Sequence, residues 1–197
     1  MGRRTILALA VAALTALVAT GASAHPGHGL EASLASGAAH PFAGLDHILA
    51  MIGIGLWGAQ TGGRALWALP LAFIGALIIG ALVGVGGTSL LVMEIGLAGS
   101  VALLGLAVVF APRIPAWAGF AIAALVGLLH GHAHGVEMPA TGSALSYGLG
   151  FVGASLALLG LGIALGVLGR RQALKLAPRA LGAIGALAGV VLLAGIA

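Results

Sequence analysis

The chain has 197 residues, 61% of them hydrophobic and 6% charged, with eight Lys and Arg against four Asp and Glu and a formal net charge of +4. Ordinary soluble domains carry roughly 25% charged residues, and so few ionic side chains cannot clothe a water-facing surface. A soluble fold is excluded, and lipid must cover the outside. The basic balance does not indicate nucleic acid, because no basic cluster is interleaved with aromatics. The absence of Cys removes disulfides, thiolate metal sites and a Cys nucleophile.

In chain order, residues 1–24 have the form of a signal peptide: Arg3 and Arg4, an apolar run from Ile6 to Ala19, and the small-residue ending Ala22-Ser23-Ala24. Cleavage after Ala24 would leave His25 at the mature N-terminus, outside the bacterial cytoplasmic membrane. Residues 25–39 then read as a short periplasmic tail, and residues 40–197 as a single transmembrane domain. Hydrophobic runs at about 42–60, 65–86, 88–111, 115–134, 142–169 and 178–197 are separated by Gly, Pro or Arg. Most approach the ~20 residues that cross a bilayer as a helix. The first is marginal, and the fifth is long enough to require tilt or extension into the interface. No run alternates with a period of two, which excludes a barrel. The expected fold is therefore all-α, a polytopic membrane helix bundle of about six transmembrane helices after signal-peptide removal. Spacings such as Gly80/Gly84, Gly96/Ser100 and Gly162/Gly166 suit close helix packing in lipid.

With the mature N-terminus outside, Arg64, Arg113, Arg170, Arg171, Lys175 and Arg179 all fall in inward-facing loops, and the outward loops hold no Lys or Arg. This is the positive-inside pattern. Against it stand polar residues that a lipid-spanning chain carries only at a cost of ~2.5–3.5 kcal/mol per charge near the bilayer centre. They are His40, Asp46 and His47 at the start of span one, Glu94 in span three, and His130, His132, His134 and Glu137 at the end of span four. The topology puts all three sets in the outer half of the membrane or at its outer surface. Imidazole with carboxylate and no thiolate is a ligand set for divalent Ni, Co, Zn, Mn or Fe.

Local spacing refines this reading. Pro41 suits a first helical turn, with His40 just before it. Seven residues of helix rise ~10.5 Å, so His40 and His47 share one ion only if the helix breaks, for which Gly44 is the candidate; otherwise they are successive stations on an inward path. His130, His134 and Glu137 share one helix face, as in helices that present several ligands to one metal. His132 points elsewhere, unless unwinding at Gly131 and Gly135 lines all three histidines along an extended strip. Met51, one turn below His47, could offer a thioether or simply pack. Glu31 reads as surface. In the tail, His25 and His28 with the free amine could capture metal first, or could do nothing.

At these residues the sequence resembles the HupE/UreJ family of nickel and cobalt permeases, whose first helix carries a His-x5-Asp-His motif, here His40, Asp46 and His47. The resemblance extends over essentially the whole chain: the signal peptide, the six-helix plan, an acid in span three (Glu94) and a His-Gly-x-Glu sequence after span four (His134 to Glu137), with Phe73 a weaker match to a family aromatic. It implies uptake of Ni(II) or Co(II), often to supply maturation of metalloenzymes such as hydrogenase or urease, or cobalamin synthesis.

The expected function is a secondary permease, not an enzyme, with a transported dication in place of a permanently bound cofactor and with lipid as its surroundings. Oligomeric state, a homo-oligomer included, is open at this stage. One rival is a haem-binding electron carrier, which would pair histidines across a porphyrin. Another is an intramembrane Zn metalloenzyme using His130, His134 and Glu137, although neither HExxH nor GxSxG is present.

Overall fold

The computed structural model describes residues 31–87, 91–170, 174 and 176–196. The expected signal segment and the tail histidines His25 and His28 lie outside the described residues.

The hydrophobic runs are helices, as they must be where no water is present to pair backbone N–H and C=O groups. Helix α1 (Leu34–Ala39) leads into a 3₁₀ turn (His40–Phe42), followed by α2 (Leu45–Thr61), α3 (Ala65–Gly84), α4 (Leu91–Phe110), α5 (Ala116–Val136), α6 (Ala144–Leu168) and α7 (Ala177–Ile196). The six long helices match the expected spans to within a few residues. Their ends follow from local chemistry. Helix α2 stops at Gly62, whose φ of 74° suits a residue without Cβ, and Ser143 caps α6 by accepting the Ser146 N–H at 3.2 Å.

Within the stretch read as an outer tail, residues 34–39 are helical. Ser33 opens α1 through a reciprocal capping box with Ser36, and α1 lies along α6. Just before it, Ala32 donates to the Thr141 carbonyl at 2.6 Å and accepts from the Ser143 N–H at 2.8 Å, which ties the start of the described chain to the loop between α5 and α6.

Among the described residues, five helices are each long and apolar enough to cross a membrane. The sixth span exists only if α1 and its turn are joined with α2, across a bend of 82°. This explains why the first run looked marginal in sequence. Pro41 sits in the 3₁₀ turn, and Gly44 is extended at φ −115° and ψ 130°, so the helix cannot run through.

Three pairs carry most of the packing: α3 with α5 and α2 with α6, each running parallel, and α4 with α7, running antiparallel. Glycines allow the backbones to meet. A methyl group at Gly131 of α5 would fall on the Leu77 carbonyl of α3, and one at Gly162 of α6 on the Ile52 carbonyl of α2. With no hydrophobic drive between helices in lipid, such contact supplies the cohesion. Helix α2 touches all five other long helices, and from Gly53 to Ala59 every residue is buried. It is the axis of the bundle, with Met51, Ile54, Trp57, Phe73, Leu77 and Leu104 packed in its core.

The two ends of the bundle differ in chemistry. At one end, where α2, α4 and α6 finish, Arg170 donates to the Ala59 carbonyl at 2.5 Å and Gln60 Nε2 to the Val108 carbonyl at 3.0 Å. Arg64 and Arg113 open the helices that start there, and Trp67 and Trp117 are exposed nearby, as aromatics are at a membrane interface. The histidines occupy the other end.

Candidate metal centre

Three elements supply the polar groups. His40 comes from the 3₁₀ turn, Asp46 and His47 from the first turn of α2, and His130, His134 and Glu137 from the last turns and C-cap of α5. On a straight helix His40 and His47 would stand ~10.5 Å apart along the axis. The break at Gly44 folds the two rings to a centroid separation of 6.2 Å. A Cβ on Gly44 would lie 2.5 Å from Asp46 Oδ1 and 2.9 Å from the His47 ring, so a larger residue at that break would displace both side chains.

The result is two groups of donors that share His47. His40, His47, His134 and Glu137 form one; Asp46, His47 and His130 form the other; within each group the donor atoms lie within 4.8 Å of one another. In the first group, His40 Nε2 stands 3.2 Å from Glu137 Oε2, and the His134 ring is centred 4.1 Å from that of His47 and 4.8 Å from that of His40. In the second, His47 Nδ1 is 3.1 Å from Asp46 Oδ2, with the His130 ring 5.6 Å from that of His47. Metal–nitrogen and metal–oxygen bonds run ~2.0–2.2 Å, so donors this close need only small shifts to converge on one ion.

These imidazoles are buried but poorly satisfied. His130 and His134 are 0% and 1% exposed, yet His130 Nδ1 and both ring nitrogens of His134 have no hydrogen-bond partner. A buried polar atom left unpaired costs about 1–3 kcal/mol, so such atoms want explaining; a cation accepting their lone pairs is one explanation, and the chemistry of the donor set fits it. Aromatic rings wall the site. Phe151 packs on His134 at 4.4 Å, Tyr147 stands 5.8 Å from His40, and Phe73 is 6.3 Å from His130. At the mouth, contact with His40 holds the Glu137 carboxyl below the usual carboxylate range, so it stays ionised where a dication would meet it.

The remaining candidates lie elsewhere. Glu94 is exposed in the first turn of α4 and belongs to neither group. His132 is half-buried, with its backbone against Gly80 and Gly84 of α3. Helix α5 continues to Val136 without unwinding, so the three histidines do not form an extended strip. Met51 is fully buried in the core, and Glu31 is exposed. Sequence reasoning passed over Tyr147 and Phe151 and treated Ser100 as a packing residue. No spacing signal marks them, because they reach the site from other helices.

A profile of the family described as HupE / UreJ protein matches residues 12–192. Protein HupE of Rhizobium leguminosarum bv. viciae is 41% identical over 174 residues, which cover 88% of this chain and 91% of that protein. No solved structure matches the chain.

Proposed function

Because the chain belongs to the HupE / UreJ family, we propose that it is a permease importing Ni(II) or Co(II) across the bacterial cytoplasmic membrane, through the histidine and carboxylate groups at one end of its bundle. The family is one of metal transporters and not of enzymes, which sets the intramembrane metalloenzyme aside. Haem fits poorly, since rings centred 4.1 Å apart, as those of His47 and His134 are, leave no room for a porphyrin between them.

The observation that carries the reading is His134: enclosed by His40, His47 and Phe151, with both ring nitrogens buried and unpartnered. The hydrated ion meets Glu137 and His40 first and loses water as imidazoles replace it. It then moves to Asp46 and His130, with His47 common to both steps. A carboxylate in each group lowers the cost of burying two positive charges, while neutral imidazoles supply affinity for late first-row ions over Mg or Ca. The basic end faces the cytoplasm, following the positive-inside bias of Arg64, Arg113, Arg170 and Arg179. Moving a dication down an inside-negative potential then yields ~4.6 kcal/mol per 100 mV, twice the ~2.3 for a single charge, and no ATPase is needed.

Uptake of radioactive Ni or Co into proteoliposomes under an imposed potential tests the proposal. The wild type should accumulate ion, whereas Asp46→Ala and His47→Ala should fall to the level of empty vesicles. Uptake by either variant at the wild-type rate refutes the assignment.

A further inference from the structure

We infer that Ser100, on α4, is a positioning residue for the inner donor group: it holds His130 in the tautomer with its proton on Nε2, leaving the Nδ1 lone pair as the ligand atom beside Asp46 and His47. The geometry of this inference stands by itself, and its consequence for ion binding rests on the permease reading.

The assignment follows from counting protons. Ser100 Oγ lies 2.7 Å from the Leu97 carbonyl oxygen and 3.0 Å from His130 Nε2. A hydroxyl has one proton and a carbonyl can only accept. The Ser100 proton therefore goes to Leu97, and Oγ is left as an acceptor. For the second contact to be a hydrogen bond, His130 Nε2 must carry a hydrogen and donate it. A neutral imidazole has one N–H, so Nδ1 carries the lone pair. That atom is buried and has no hydrogen-bond partner, and His130 belongs to the donor group with Asp46 and His47.

The two groups differ in consequence. Ser100 is 6% exposed and is anchored through its own helix, three residues back, so the orientation it imposes on His130 is set before an ion arrives. Gly96, one turn earlier on α4, faces Leu129 of α5 at this level. In the outer group neither nitrogen of His134 is held in this way. The inner station is thus preset, and the outer one is free to adjust as an ion sheds water. Hydrogen-bond partners that fix a ligating histidine are commonly worth 10–100-fold in metal affinity.

The test uses the full-length protein in lipid nanodiscs with ¹⁵N-labelled histidine, read first without metal and then titrated with Co(II). The ¹⁵N signals of His130, assigned by their loss in His130→Ala, should show the proton on Nε2 in the wild type. In Ser100→Ala that preference should relax toward a mixture, and Co(II) affinity should fall 10–100-fold. Ser100→Thr, which keeps the hydroxyl, should retain both properties. A proton on Nδ1 in the wild type overturns the inference. So does a Ser100→Ala protein that loses the tautomer preference yet binds Co(II) as tightly as the wild type, a result that leaves the permease reading intact. A wild type that binds neither Co(II) nor Ni(II) refutes the permease reading, and with it the role of Ser100 in ion binding, while the tautomer measurement still judges the hydrogen bond.

Discussion

An imidazole that is 1% exposed with neither nitrogen hydrogen-bonded, as in His134, costs the metal-free protein about 1–3 kcal/mol. One of those unpaired nitrogens, the one with the lone pair, is what an ion would use, so stability and binding should separate at this position. Replacing His134 by Leu, apolar and similar in size, is expected to leave the unfolding temperature of the metal-free protein unchanged or raise it. The variant should lose the stabilisation that Ni or Co gives the wild type, about 2.7 kcal/mol when the ion is at 100 times its dissociation constant. Thermal unfolding with and without metal reads both effects, and a metal-dependent rise surviving in the variant would remove His134 from the site. That His134 and Glu137 were candidates for a polar site was legible in sequence, because polar side chains in a lipid-spanning run are conspicuous. The state of their nitrogens was not, because it depends on neighbours from α2, α6 and the 3₁₀ turn. Ser100 is the sharper case: a serine at small-residue spacing looks like packing until its distance to His130 is known.

At the scale of elements, the site depends on how closely α3 and α5 approach. Helix α5 carries His130 and His134, and Gly131 lies between them against the Leu77 carbonyl, where a methyl group has no room. Gly131→Ala should force the pair apart or rotate α5. The expected result is a loss of about 1–3 kcal/mol of stability, typical of overpacking, together with weakened metal binding. Gly153→Ala on α6, where a methyl group meets nothing within 4 Å, should leave both near wild type. Equal behaviour of the two variants in thermal unfolding and Co(II) titration would show that the close approach does not govern the site. The break at Gly44 is the other element that matters. Sequence offered two outcomes for it, His40 and His47 sharing one ion or standing as two stations in series, and the 82° bend brings the two histidines into one donor group.

For the whole molecule, orientation decides the direction of flux. If the basic end is cytoplasmic, a reporter fused in the 170–179 loop should be active only in its cytoplasmic form; a periplasmic signal would invert the bundle and make the proposed import an export. Composition and the order of hydrophobic runs, read alone, were enough to determine an all-α membrane bundle with six long helices near their observed limits. The reason is that lipid leaves a backbone only helices or a closed barrel to pair its polar groups, and none of these runs has a barrel's alternation. The sequence also singled out the few side chains costly enough in lipid to demand a purpose. Which of them meet was decided only by tertiary structure: His40, Asp46, His47, His130, His134 and Glu137 gather, whereas Glu94 and His132 stand outside both donor groups. Spacing along one helix defines a face, but the bend between two short segments and the depth at which glycines let neighbouring helices dock are properties of the packed bundle, and those set the distances between ligands.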